Sequence, residues 1–379
     1  MLISFGEIYS PINLLNPMPM NPDFDLLTQR ATHILKNLIA IPSTSRNETE
    51  AANFLFNYLT QEGAEPQRYG NNVWCEQPMA KNNKATTSPN NKPTLLLNAH
   101  IDTVKPAASW IHNPYEASVE GDRIYGLGSN DCGGGLVTLM ELFLKLRQEE
   151  LPYHLVFLAS AEEEVSGKNG IEAVLPHLPH IDVALVGEPT GMQPAIAEKG
   201  LMVLDCTAHG RSGHAARNEG INAIYQALPD IEWFRTYQFK EATDLLGPVK
   251  MSVTMVNAGT QHNVVPDTCT FVVDVRANEC YTNEEILEHI RQHVSCDIAP
   301  RSTRLHSSRI SPTHPLVRAA MAQGRTPFGS PTLSDQALMR FPSFKMGPGD
   351  SARSHTAEEY VCISELREAI EIYFKMIGS

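Results

Sequence analysis

Three strand-length apolar runs, each ending in residues that ligate metals or move protons, constrain this chain more than any other feature. "TLLLNAH" (94–100) ends in His100, with Asp102 two residues on. "YHLVFLASAEEE" (153–164) ends in Glu162, Glu163 and Glu164. "IDVALVGEPT" (181–190) carries Glu188 just past its last valine. Helical patterns separate the runs. Residues 23–40 repeat Leu26, Leu27, Ile34, Leu35, Leu38 and Ile39 near helical spacing, and 48–62 continue as a second helix. "DCGGGLVTLMELFLKLRQEE" (131–150) reads as a flexible turn and then an apolar helix from about Leu136. Buried strands alternating with helices predict an α/β fold with a mixed, largely parallel sheet. Ligands gather at the carboxyl ends of such strands, where all three runs place their polar residues.

From about 195 to 304 the rhythm changes to strand, helix, two strands and helix, with a closing strand near 297–304. Thr282 and Glu285 form a candidate capping box. This order predicts a ferredoxin-like α+β unit. It is inserted at 195–304 into a larger domain made of 1–194 and 305–379.

The 379 residues are 42% hydrophobic, enough for a sizeable core, and the net charge of −13 argues against nucleic-acid or anionic-membrane partners. No apolar run reaches the roughly 20 residues of a membrane span. The proline-broken N-terminus lacks the basic start of a signal peptide, and Met18 or Met20 is an alternative start. "KNNKATTSPNNKP" (81–93) reads as a solvent loop. Seven scattered cysteines without a C-x-x-C pair predict a reduced, cytoplasmic protein.

Further segments add chemistry. "GLGSNDCGGG" puts Asp131 at a helix start, and "GPGDSARSHTAEEY" supplies His355. Taken singly, these residues read equally as an N-cap, a solvated acidic turn, an ordinary turn or a surface histidine. Together they make two histidines and at least three carboxylates. Zinc accepts both ligand types, and a bridging carboxylate with flanking His and Glu suits a two-metal hydrolase. The spare glutamate of an adjacent pair is then free to act as a general base.

The ordered set "NAHIDTV", "GSNDCGGG", "SAEEEVSG", "GEPT", "GHAA", "HNVVPD", "DVR" and "GPGDSARSHTAEEY" resembles the co-catalytic zinc deacylases and exopeptidases, collinearly from about residue 33. That family includes acetylornithine deacetylase, succinyl-diaminopimelate desuccinylase, aminoacylase and glutamate carboxypeptidase. The resemblance implies a zinc-exopeptidase-like catalytic domain and an inserted dimerisation or lid domain. It implies two divalent ions, zinc above cobalt or manganese. His100 and Glu188 would bind one ion, Glu164 and His355 the other, with Asp131 bridging. Asp102 would orient His100, and Glu163 would be the base. His214 would reach the partner subunit's site in a homodimer built through 195–304. Asn263, Arg276, Gly347 and Gly349 would contact substrate, and Asp335 would meet a substrate ammonium. Two departures stand out: Cys132 and Gly133 where the family has a hydrophobic or Thr residue and then Lys, and no proline after "DVR".

Glu188 favours a deacylase over a peptidase within that resemblance. The C-terminal run looks most like acetylornithine deacetylase homologues of the Bacteroides type. The expected substrate is therefore N-acetyl- or N-succinyl-L-ornithine or -citrulline, in arginine biosynthesis. The alternatives are a succinyl-diaminopimelate desuccinylase, a dipeptidase or carboxypeptidase, or a non-catalytic amino-acid-binding relative.

Overall fold

The computed structural model describes residues 22–78, 92–217 and 219–378. The N-terminal tail and nearly all of the 81–93 loop lie outside them. A nine-stranded sheet forms the larger unit. Its central strands Thr94–His100, His154–Ser160, Val183–Val186 and Ser343–Lys345 run parallel. Leu97 lies opposite Phe157 and Leu185, and His100 opposite Ser160. This register brings the three ligand-bearing strand ends to one edge.

The sheet is buried on both faces. Leu95, Leu97 and Ala99 enter one core and Leu96 the other, as the two-residue period of a strand requires. Helices Phe24–Ile39, Gly134–Leu146 and Ile363–Ile377 contribute to the first core. Asp23 caps the first of them by accepting from the Leu26 N–H at 3.0 Å.

The sheet is mixed, as the sequence reading has it, but less parallel toward its edges than that reading expects. Asn72–Glu76 pairs antiparallel with His154–Ser160, and Ala195–Glu198 pairs antiparallel with Ser308–Arg309 and Ser343–Lys345 but parallel with Phe328–Ser330.

The second unit is a four-stranded antiparallel sheet in the order Lys250–Ala258, Thr268–Ala277, Gly200–His209, Asp297–Pro300. Helices Ala223–Thr236 and Asn283–Arg291 complete the ferredoxin-like order. Met202, Leu204, Phe234, Phe271, Val273 and Ile286 give it a core of its own. The capping box at Thr282 and Glu285 forms. One boundary differs from the reading: Ala195–Glu198 belongs to the large sheet, so the second unit opens at Gly200. Both strands are apolar, and only their pairing separates them. All seven cysteines are free thiols. Among the described residues, no helix is long and apolar enough to cross a membrane.

Candidate active site

His100 ends its strand almost fully buried. Its Nδ1 lies 2.8 Å from the backbone carbonyl of Asp102. Donation there fixes the tautomer and leaves the Nε2 lone pair facing outward. Nε2 is 3.2 Å from Asp131 Oδ1, 3.8 Å from Glu188 Oε1 and 3.9 Å from Glu163 Oε2.

The carbonyl of Asp102 is the nearer partner of Nδ1, with a carboxylate oxygen of the same residue at 3.5 Å. That carboxylate has further partners. It accepts from the backbone N–H of Glu163 at 3.0 Å, from that of Glu164 at 3.2 Å and from Ser45 Oγ at 2.7 Å. One residue therefore ties the histidine strand to the turn bearing both glutamates. Burial opposes the Asp102 charge, but these bonds and His100 hold its carboxyl below the ordinary range.

Asp131 sits in the irregular turn Ser129–Gly133, whose Asp131–Cys132 peptide is cis. Glu359 holds this turn, accepting from the N–H groups of Gly128 (3.2 Å), Asn130 (2.9 Å) and Asp131 (2.8 Å). Burial and the Asp131 charge push the Glu359 carboxyl up to about 7. Asp131 Oδ1 faces His100, and its Oδ2 is 3.6 Å from His355 Nε2. His355 Nε2 in turn lies 2.9 Å from Glu164 Oε2. The Glu164 contact raises the imidazole to about 9 against partial burial. Burial, then the Asp131 charge, raises Glu188 to about 8.

Two atoms test whether cations fit here. Glu164 Oε1 and Glu188 Oε1 are both buried without a hydrogen-bond partner. Uncompensated carboxylate oxygens in a low-dielectric site are costly unless a cation meets them. Donor atoms of His100, Asp131 and Glu164 lie within 4.8 Å of one another, as do those of His100, Cys132 and Glu188. Imidazole and carboxylate donors suit zinc. Cys132 also accepts from the His100 N–H at 3.1 Å, which places the sulfur against the strand backbone.

A cavity of about 610 Å³ opens over the cluster, lined by Asp131, Glu163, Glu164, Glu188 and His355, with Thr332, Lys345 and Arg353 on other walls. Gly349 lines it at φ +87°, where a Cβ would lie 2.2 Å from Asn130 Oδ1.

Other expected residues lie elsewhere. A Cβ on Gly347 would meet the Glu188 carbonyl at 2.5 Å, so its need is backbone packing. Asp335 is not on the cavity. It is buried, accepting from Asn98 Nδ2 at 3.0 Å and Ser160 Oγ at 2.6 Å, and so braces two strand ends. His214 and Asn263 are exposed neighbours on the second unit, where the Ala215 N–H donates to the Asn263 carbonyl. Arg276 grips Asp274 through two bonds, at 2.8 and 3.1 Å. None of these three lines the cavity of this chain.

The chain is similar in sequence and in fold to known proteins. Over 374 residues the chain is 26% identical to the succinyl-diaminopimelate desuccinylase of Corynebacterium glutamicum, covering 93% of this chain and 97% of that protein. Its fold is similar to that of aminopeptidase PepT from Bacillus cereus (TM-score 0.73, 18% identity, 92% of this chain and 97% of that one). It is also similar to that of a dinuclear metal binding peptidase from Bacillus subtilis (TM-score 0.69, 18% identity, 93% and 98%). Residues 96–379 match peptidase family M20/M25/M40, and the chain belongs to that family.

Proposed function

We propose that this protein is a dinuclear metal-dependent amidohydrolase that cleaves the N-acyl amide of an amino acid, with succinyl-diaminopimelate-type substrates ahead of acetylornithine. The observation that carries the hydrolytic reading is the pair of buried, partnerless oxygens of Glu164 and Glu188 beside His100, Asp131 and His355. The name of the Corynebacterium relative, matched along nearly its whole length, favours the desuccinylase over the acetylornithine reading.

In this reading His100 and Glu188 hold one ion, Glu164 and His355 the other, and Asp131 bridges. Bound there, the ions supply Lewis acidity to the amide carbonyl and lower the pKa of the attacking water. Glu163 removes one proton from that water on a carboxylate oxygen. The water oxygen bonds to the carbonyl carbon, and as the C–N bond breaks Glu163 delivers that proton to the leaving nitrogen. The products are a carboxylic acid and an amine, which ionise together to a carboxylate and an ammonium. Burial first, then the charges of Glu188, Asp335 and Glu164, raise the Glu163 carboxyl well above its usual range, against the pull of His100. A raised carboxyl can both accept and return the proton.

A homodimer through the second unit belongs to the same proposal. The outer strand Lys250–Ala258 exposes Met255 and Val256, and helix Ala223–Thr236 exposes Tyr225 and Leu228. His214 would then serve the partner's cavity. The free thiols fit a cytoplasmic setting.

The test is amine release by the zinc-loaded enzyme from N-succinyl- and N-acetyl-diaminopimelate and -ornithine, with molecular mass measured on the same sample. Chelator-sensitive hydrolysis by a dimer, fastest on the succinyl-diaminopimelate form, is expected. Turnover that survives complete metal removal would sink the reading.

Metal affinity should also climb with pH. Below about 8 the metal-free Glu188 carries a proton, and below about 9 so does the His355 imidazole. A cation must expel those protons, together with one from His100, which, against burial, Cys132, Asp102 and Asp131 hold well above its usual range. Affinity therefore rises through this window by up to about tenfold per pH unit for each proton. Competition with a chelator from acid to alkaline pH measures the slope, and a flat profile contradicts the ligand assignment.

A further inference from the structure

Lys345 ends the Ser343–Lys345 strand between Val183–Val186 and Ala195–Glu198. Its side chain is only 3% exposed, yet it forms part of the cavity wall. Nζ lies 3.3 Å from Glu198 Oε2 and donates to Thr332 twice, to the carbonyl at 3.0 Å and to the hydroxyl at 2.9 Å. An ammonium has three N–H donors, and these three contacts use them all. The group is therefore a clamp and not a free cation awaiting a substrate carboxylate.

Glu198 extends the clamp. It accepts from the Ser334 N–H at 3.3 Å and from the Ser334 hydroxyl at 2.7 Å. One residue further on, Asp335 is fastened to Asn98 and Ser160 on the two strands that deliver His100 and the glutamates. The wall Ser330–Leu333 is thus fixed at Thr332, which is itself exposed, and again just beyond its end, in both places by buried partners. A buried ion pair is a poor route to stability, since apolar residues of similar volume often do better. Its use here points to the position of the wall as the thing gained.

We propose that Lys345 is a positioning residue that sets the Thr332–Leu333 wall and through it selects the arm of the substrate lying in the cavity. The inference rests on the cavity being the hydrolytic site proposed above. Lys345→Met alone would strand the Glu198 carboxylate in the interior, so the informative variant is Lys345→Met with Glu198→Gln.

The full-length zinc-loaded double variant is compared with the parent on N-succinyl- and N-acetyl-diaminopimelate, with zinc content and hydrogen exchange over residues 328–335. Zinc content should be unchanged and kcat on the preferred substrate within about threefold. KM should rise about tenfold, the preference between acyl groups should collapse, and exchange across 328–335 should quicken by about tenfold. A general loss of folding would lower kcat and zinc content together and leave the acyl preference intact. Unchanged KM and preference would overturn the proposal, as would unchanged exchange. If the parent hydrolyses neither substrate, the functional reading fails by itself, and exchange in the double variant still decides whether Lys345 holds the wall.

Discussion

A Glu163→Gln enzyme is expected to fold, to bind its metals and to lose about 10²–10⁴ in kcat. The substitution is nearly isosteric and removes only the capacity to take and return a proton. The turn that presents residue 163 is held through backbone N–H groups by Asp102, so it survives the change. Folding should not suffer, because Gln places no charge among Glu188, Asp335 and Glu164, the neighbours that raise the Glu163 carboxyl. KM should move little, since the loss falls on the transition state. The comparison is kcat against zinc content on the same sample. A rate within about tenfold of the parent, outside the range for general acid–base catalysis, would place the base elsewhere. Glu162 is a poor substitute. It lies at φ +56°, with Oε1 accepting from Asn169 Nδ2 at 2.8 Å, committed to the turn.

How much of this was legible in the sequence depends on distance along the chain. The strand ends were readable because a buried parallel strand writes itself as an apolar run, and in-register neighbours must end together. The division of labour inside "HIDTV" was not. Whether Asp102 works through its carbonyl or its carboxylate depends on how the chain turns after the strand, and on a partner turn some sixty residues away. Glu359 left no signal. It adjoins Glu358 in "AEEY", and only the tertiary fold buries one and turns the other toward His112, half-buried. For Asp335 the resemblance offered a substrate contact, and its bonds to strand ends 175 and 237 residues away left no local signal. Lys345 was equally silent, a lone cation at the end of a short apolar strand. The catalytic cluster is thus written locally, and the polar framework that holds it is not.

The glycines after Asp131 show the same limit and give the second large expected effect. In sequence they read as a flexible turn. In the structure Gly134 and Gly135 already belong to helix Gly134–Leu146. A Cβ on Gly135 would stand 1.7 Å from the carbonyl oxygen of Gly187, but one on Gly134 would find nothing nearer than 3.3 Å. Helix backbone and strand backbone touch at Gly135, with Glu188 the next residue along. Alanine is normally the better helix residue by about 1 kcal/mol. At Gly135 that gain is outweighed, because relieving the clash means moving the helix or the strand end, at a cost of roughly 3 kcal/mol. Gly135→Ala should therefore lower the thermal midpoint by several degrees and weaken zinc binding, since the strand end carrying Glu188 must shift. Gly134→Ala, one residue away in the same run, should cost far less on both measures, since its contacts at 3.3 Å need shifts of only a few tenths of an ångström. Equal behaviour of the two variants in thermal unfolding and zinc titration would show that the run serves as a hinge. A large difference would show that these glycines let two backbones approach closely enough for Asp131 and Glu188 to share one site.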